Sequence, residues 1–383
     1  MADPAPASRA ASPARIVFID LARALAVLMM IQGHTIDTLL VPEARAGVAY
    51  EAWLFLRGLT SVSFLTLSGI AVSVTAMRHW DDHRRVSARW FRRVRRFVFF
   101  LALGYLMRFP MGKFVHLVFA SPERWQSFFV VDILQLVAAT LLLVQALVWL
   151  SVTPSRFMVV TAALGALVVG TAPVVWTVDW TRYMPLWAAS YMSPAWGSLF
   201  PMFPWAGYIL IGGAFGAWLE RWLHHDTIRH VAKLLAWSGA IAIAVVGIAR
   251  LVGLAPYGPI DQRVSPGFFV LRLGCVLLLL GGLAWASAGW RRLPVVIRAL
   301  AEESLLVYAV HIALLYGSLW GPGLRTLVGP VPGEFVLAWI VVMIGAMTAL
   351  AWGWNRLQHE HPRLAVACRV ATMTALIYPL LGV

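Results

Sequence analysis

The chain has 383 residues, of which 61% are hydrophobic and only 13% charged, with a mean hydropathy of +0.78. A soluble domain is about half apolar and about a quarter charged, so this composition excludes a water-soluble fold and calls for a membrane. The formal net charge of +14 would point to nucleic acid in a soluble chain, and its meaning here depends on where the positive charges lie.

Residues 1–15 are rich in Ala and Pro, carry no apolar core, and are expected to form a disordered cytoplasmic tail; residues 16–383 read as one transmembrane domain. Crossing the hydrocarbon core takes about 20 mostly apolar helical residues. Eleven runs are candidates: Ile16 to Val41, Ala52 to Met77, Phe97 to Arg108, Phe128 to Leu150, Phe157 to Val178, Leu199 to Leu219, Leu234 to Leu251, Phe268 to Ser287, Leu300 to Trp320, Phe335 to Trp354 and Leu364 to Leu381. The third is short and the last carries Arg369, so the expected architecture is an all-α polytopic bundle of 10 to 11 spans. A β-barrel would show alternating segments of about ten residues instead. The first run has no defensible small-residue cleavage site after it and reads as a retained helix. Cys275 and Cys368 both lie in apolar runs, which excludes a disulfide scaffold and a CxxC metal site.

Lys and Arg in short loops set orientation. With the N-terminus in the cytoplasm, 19 of the 31 basic residues fall on the cytoplasmic side, eight of them in the linker from Arg78 to Arg96, and six on the other. The +14 charge is therefore chiefly an orientation signal and makes no case for nucleic acid; the expected localisation is integral to a bacterial inner membrane with the N-terminus in the cytoplasm.

Charges inside the bilayer cost about 2.5 to 3.5 kcal/mol each on insertion scales, so those in the spans need a reason. The first span holds Asp20, Arg23, His34 and Asp37. Arg23 and His34 are eleven residues apart, three helical turns, which places both on one face about 16 Å apart along the axis. For Arg23 alone a snorkelling or salt-bridged anchor is an equal reading, and a lone His near a helix end is more commonly a structural hydrogen-bond partner. Other spans shift that balance. Arg57, Arg108, Asp132 and Arg272 stand near the outer ends of their spans, with Gln135 one turn below Asp132, and can converge with His34 and Asp37 on one outward-opening polar pocket. In the ninth span Ser304, Tyr308 and His311 are spaced i, i+4, i+7 and form a stripe; a hydrogen bond to a neighbouring helix explains His311 at even odds with a functional role. Glu302 and Glu303 suit the electrostatics of a helix N-terminus. His359, Glu360 and His361 read as a solvated loop, and no metal site is expected.

The opening helix, from Arg15 through Asp20, Arg23 and Gly33-His34 to Asp37, resembles that of the multi-pass membrane acyltransferases, in which an Arg, ten residues and a His mark the first span. Further fragments resemble the branch related to heparan-α-glucosaminide N-acetyltransferase: Phe55-Leu-Arg57-Gly58, Phe64-Leu-Thr-Leu-Ser68-Gly69, Asp132-Ile-Leu-Gln135, Phe203-Pro204-Trp205-Ala-Gly207, and Ser304 to Tyr308 ending at His311. The chain departs from the common Arg-Gly pair at Arg23-Ala24.

This resemblance implies transfer of an acyl group, acetyl being usual, from cytoplasmic acyl-CoA to a hydroxyl or amine of an extracytoplasmic glycan or small acceptor. On that reading His34 is the base, oriented by Asp37, or transiently carries the acyl group itself. Arg57 or Gln135 stabilises the oxyanion, and Asp132, Gln135 and Arg272 bind substrate. Arg23, Ser304, Tyr308 and His311 line the passage for acyl-CoA. The competing readings are a transporter or flippase for a polar solute and a non-catalytic scaffold; the first commonly shows internal repeats and broken helices, and the second leaves the intramembrane charges unexplained.

Overall fold

The computed structural model describes residues 16–109, 114, 119–223, 227–254, 262–318 and 321–381. The expected tail, with Arg9 and Arg15, and the loop residue Lys113 lie outside the described residues. In chain order the helices are α1 (Val17–Leu39), α2 (Val48–Arg78), α3 (Trp80–Arg84), α4 (Ala88–Met107), α5 (Pro122–Phe129), α6 (Ile133–Leu150), α7 (Pro154–Val175) and α8 (Leu186–Ala189). They continue with α9 (Met202–Trp222), α10 (Ile228–Leu251), α11 (Pro266–Ala286), α12 (Val295–Glu302), α13 (Ser304–Tyr316), α14 (Leu324–Leu327), α15 (Gly333–Glu360) and α16 (Pro362–Leu381). Among the described residues there is no strand, only two isolated bridges, so the fold is an all-α bundle.

Among the described residues eight helices are long and apolar enough to cross a bilayer: α1, α2, α6, α7, α9, α10, α11 and α15. The three remaining expected spans are also helical, and two of them differ from the expectation. The third, expected from Phe97, begins at Ala88, because Arg89, Arg92, Arg93, Arg95 and Arg96 continue the helix as a charged first half. The ninth is not one helix. It breaks at Glu303 into α12 and α13. The break is held by α15, whose Asn355 Nδ2 donates to Glu302 Oε2 at 2.6 Å and whose Gln358 Nε2 donates to Glu303 Oε1 at 2.8 Å. Glu302 and Glu303 are thus partners of another helix as well as neighbours of the α13 N-terminus. The eleventh, α16, forms a helix from Pro362 to Leu381.

Helix α1 joins two apolar clusters. Phe18, Ile19 and Ala22 pack with side chains of α2, α6, α9 and α11, whereas Val27, Met30 and Ile31 pack with α12, α13 and α15. The α2–α9 contact depends on missing side chains. A Cβ on Gly69 would lie 2.0 Å from Ile209 O, and one on Gly212 would lie 2.4 Å from Thr66 O, so only glycine lets the two backbones approach this closely. At its far end α1 stops where Arg45 turns back. Its Nη2 donates to Leu40 O at 2.6 Å and to Asp37 O at 3.0 Å, placing a cation on carbonyls that lack helical partners. The strand-like pairing of Leu40 with Val331 then ties this end of α1 to the segment before α15.

The polar linker between α2 and α4 is ordered by α3. His83 is 1% exposed, and its carbonyl accepts from Gln145 Nε2 on α6 at 3.0 Å. Burial, followed by the nearby Arg93 guanidinium, pushes the His83 imidazole down to about 4.

Candidate active site

A cavity of about 670 Å³ lies between the two clusters, near the end of the bundle at which α1 terminates. Helix α1 presents Met29, Met30, Gly33, His34 and Asp37 to it, the one-sided stripe expected of 3.6-residue periodicity. Helix α2 adds Arg57, the C-cap of α4 adds Arg108, the N-cap and first turn of α6 add Asp132 and Gln135, α11 adds Arg272, and α13 adds Tyr308 and Tyr316. Eight of the residues expected from the sequence therefore share one cavity: His34, Asp37, Arg57, Arg108, Asp132, Gln135, Arg272 and Tyr308.

Two ion pairs organise the charges. Arg57 Nη2 donates to Asp37 Oδ2, joining α2 to α1, and the guanidinium lies 5.6 Å from the centre of the Trp53 ring. Arg108 Nη2 donates to Asp132 Oδ2 at 2.8 Å, joining α4 to the start of α6. Asp132 also caps α6, since its Oδ1 accepts from Ile133 N at 2.9 Å. The extended residues before it are fixed from outside. Val131 N donates to Ser198 Oγ at 3.0 Å, and Val131 O accepts from Leu199 N and Phe200 N, both at 3.1 Å. The loop that carries Phe200 and leads to Trp205 thus closes one side of the cavity.

Space for the polar side chains comes from glycines on facing helices. A Cβ on Gly33 would lie 3.3 Å from Arg57 Cγ, one on Gly58 would lie 2.7 Å from Arg272 Nη2, and one on Gly104 would lie 2.8 Å from both Gln135 Cδ and Oε1. Arg272 is further held over the Phe268 ring, 4.1 Å from its centre.

Gln135 is 0% exposed, and neither amide atom has a hydrogen-bond partner among the described residues. A buried carboxamide left this way costs about 1 to 3 kcal/mol per unmet group, a cost that a ligand in the cavity relieves. The indole Nε1 of Trp205, also facing the cavity, is likewise buried without a partner.

His34 does not use Asp37 as its ring partner. Asp37 Oδ2 is taken by Arg57, and His34 Nδ1 lies 2.8 Å from Nε2 of His311. His311 is 0% exposed and stands behind His34, outside the cavity lining. The α13 side chains that do face the cavity are Tyr308, Ile312 and Tyr316, at i, i+4 and i+8. Arg23 and Ser304 also lie outside the lining. Arg23 Nη1 is 3.6 Å from Asp20 Oδ1, and Ser304 begins α13 at the break.

The sequence reading assigns no role to Tyr316 or to Trp205. The i+8 repeat from Tyr308 is a signal for the first; Trp205 sits within the Phe-Pro-Trp fragment. The sequence places Arg108 among the outer-end charges that can share the pocket, but nothing local pairs it with Asp132, so that ion pair is not legible in the chain. Among the described residues no three His, Cys, Asp or Glu side chains stand together as metal ligands.

A family model described as heparan-alpha-glucosaminide N-acetyltransferase, catalytic, matches residues 15–249. That stretch includes every cavity residue carried by α1, α2, α4 and α6 and ends before α11 and α13. No curated protein and no solved structure matches the chain. With more than half of its length matched and a bundle of membrane-length helices, the chain belongs to the heparan-alpha-glucosaminide N-acetyltransferase catalytic family of membrane acetyltransferases.

Proposed function

We propose that the protein moves an acyl group, acetyl in the first instance, from cytoplasmic acyl-CoA to a hydroxyl or amine of an extracytoplasmic glycan or small acceptor. The observation that carries this reading is the meeting, in one cavity, of the His34 imidazole with the buried and unpartnered Gln135 carboxamide. Acyl transfer needs a base for the acceptor's proton and a donor for the oxygen that gains charge, and these two groups supply that pair.

His34 takes the acceptor proton as the acceptor heteroatom attacks the thioester carbonyl. Gln135 Nε2 donates to the developing oxyanion. The cavity's four guanidinium groups, Arg57, Arg108, Arg263 and Arg272, against the two carboxylates Asp37 and Asp132, make the surroundings net positive and favour that charge. The Asp37–Arg57 pair holds α1 and α2 in register beside His34, and the Asp132–Arg108 pair with Arg272 contacts the acceptor. The lysine and arginine distribution supports a cytoplasmic N-terminus, and in a bacterial inner membrane, the localisation we propose, the cavity then opens to the far side. Acyl-CoA approaches from the cytoplasmic end, with Arg23, one face of α1 below His34, and Ser304, at the α12–α13 break, as residues on that route.

The experiment is His34→Ala in the full-length protein, assayed for transfer from acyl-CoA to cell-envelope acceptors by mass spectrometry. Normal membrane insertion with loss of transfer is expected. Undiminished transfer in the variant rules out His34 as the base. The broken ninth span is a feature shared with transporters, so solute uptake is measured in the same membranes; uptake without acyl transfer would favour a transport function.

A further inference from the structure

We propose that His311 is the positioning residue that selects the tautomer of His34, acting through a relay that starts at the backbone carbonyl of Val307. The inference rests on the reading of His34 as base and extends it to a residue outside the matched part of the chain.

At the inner end of the relay stands a group whose role admits no choice. Val307 O lies 2.7 Å from His311 Nδ1, one turn away on α13. A carbonyl oxygen only accepts, so Nδ1 of His311 carries a hydrogen. In a neutral imidazole the other nitrogen is then an acceptor. That nitrogen, Nε2, lies 2.8 Å from His34 Nδ1, which must therefore donate. His34 holds its proton on Nδ1, and its Nε2 is left with a bare lone pair. The ring geometry agrees independently. The two rings are within 9° of coplanar with centroids 5.1 Å apart, the spacing of a nitrogen–nitrogen hydrogen bond plus two ring radii. They meet edge to edge in one plane, so the lone pair of His311 Nε2 points along the His34 N–H.

Free neutral histidine in water favours the opposite tautomer, with the hydrogen on Nε2 and no base at that position. The relay thus holds His34 in the form that can accept a proton on Nε2. A protonated His311 would donate from both nitrogens and reverse the relay, so it must remain neutral. The ionisable groups around the pair are Asp37 on α1, Arg57 on α2, and Tyr308 and Tyr316 on α13, with Asp37 and Arg57 engaged with each other. In the step itself the acceptor's O–H or N–H proton moves to His34 Nε2 as the heteroatom bonds to the acyl carbon. The C–S bond breaks, its electron pair leaves on the CoA sulfur, and the same proton passes from Nε2 to that sulfur. While His34 is cationic, its Nδ1–H bond to His311 is charge-assisted and shorter; His311 accepts no proton in the cycle.

The test combines a direct measurement with a pair of variants in the full-length protein. Nitrogen-15 NMR of histidine-labelled protein, with His34 assigned by its loss in His34→Ala, is expected to show Nδ1 protonated and Nε2 bare. His311→Leu removes the acceptor and is expected to lower kcat by about 10²-fold or more with KM nearly unchanged. His311→Gln, whose Oε1 can accept from His34 while its amide donates to Val307 O, is expected to restore kcat to within about tenfold of the parent protein. A hydrogen on Nε2 of His34 in the parent protein overturns the proposal. So does an unimpaired kcat in His311→Leu where His34→Ala is inactive. The NMR result reads the tautomer without turnover, so it fails or stands separately from the catalytic reading, which falls only if His34→Ala remains active.

Discussion

The carboxamide of Gln135 on α6 lies against the bare Cα of Gly104 on α4, where a methyl group would sit 2.8 Å from both its Cδ and Oε1. The obstacle would meet the mobile end of a side chain and not a backbone, so the amide moves and the fold survives. Gly104→Ala is therefore expected to leave expression and melting temperature close to those of the parent while lowering kcat by about 10- to 100-fold, the cost of displacing an aligned group by about 1 Å. Steady-state kinetics beside a thermal melt check this. A large loss of stability with normal kcat would show that Gln135 has no part in turnover.

Arg57 and Asp37 are coupled across α1 and α2, and the other carboxylate of the cavity wall, Asp132, is joined to Arg108. Truncating Arg57 strands a partly buried carboxylate, and truncating Asp37 strands a guanidinium. The two single alanine variants are expected to lose more stability together than the double variant does, with a coupling of about 0.5 to 3 kcal/mol. Melting of the four proteins in detergent gives that number; strict additivity would mean that the pair does not hold the helices together.

At Gly212 the obstacle is backbone. A Cβ there would lie 2.4 Å from Thr66 O, so Gly212→Ala must push α9 away from α2 and is expected to cost about 1 to 3 kcal/mol. Gly170→Ala on α7 is the control, because nothing lies within 4 Å of its Cβ position, and its melting should be unchanged or slightly higher. Equal melting of the two variants would disprove the close-packing account.

His83 gives a pH dependence whose sign follows from its burial. The folded protein keeps the ring neutral down to about 4, whereas the unfolded chain protonates it near its ordinary value of 6.5. The unfolded state thus binds more protons between about 4 and 6.5, and stability falls as pH drops through that window, with no further loss from this group below it. Melting temperatures measured from pH 7.5 to 4 should show this slope in the parent and a shallower one in His83→Asn. An identical slope in both would assign the acid sensitivity elsewhere.

Much of the site is legible in the sequence because membrane insertion makes each polar residue in a span conspicuous. The cost of burying charge in hydrocarbon singles out His34, Asp37, Arg57, Asp132 and Arg272 without any knowledge of their neighbours. Helical periodicity similarly places His34 and Asp37 on one stripe of α1, since that relation depends only on residues of the same helix. The break at Glu303 is not visible in this way. Ser304 to Tyr316 is as apolar as an intact span, and the interruption depends on Asn355 and Gln358 reaching across from α15.

What the sequence determined by itself is therefore the membrane-embedded all-α class and most of the polar and charged side chains that meet in the cavity, which follow from hydropathy and local geometry. The tertiary structure alone decided the pairings: Asp37 with Arg57 and not with His34, Asp132 with Arg108, and His34 with a histidine 277 residues away. Pairing depends on how far each helix is rotated and shifted against its neighbour. That is set by packing between surfaces distant in the chain, such as the glycine-lined approach of α2 to α9 and the seating of α1 between two apolar clusters.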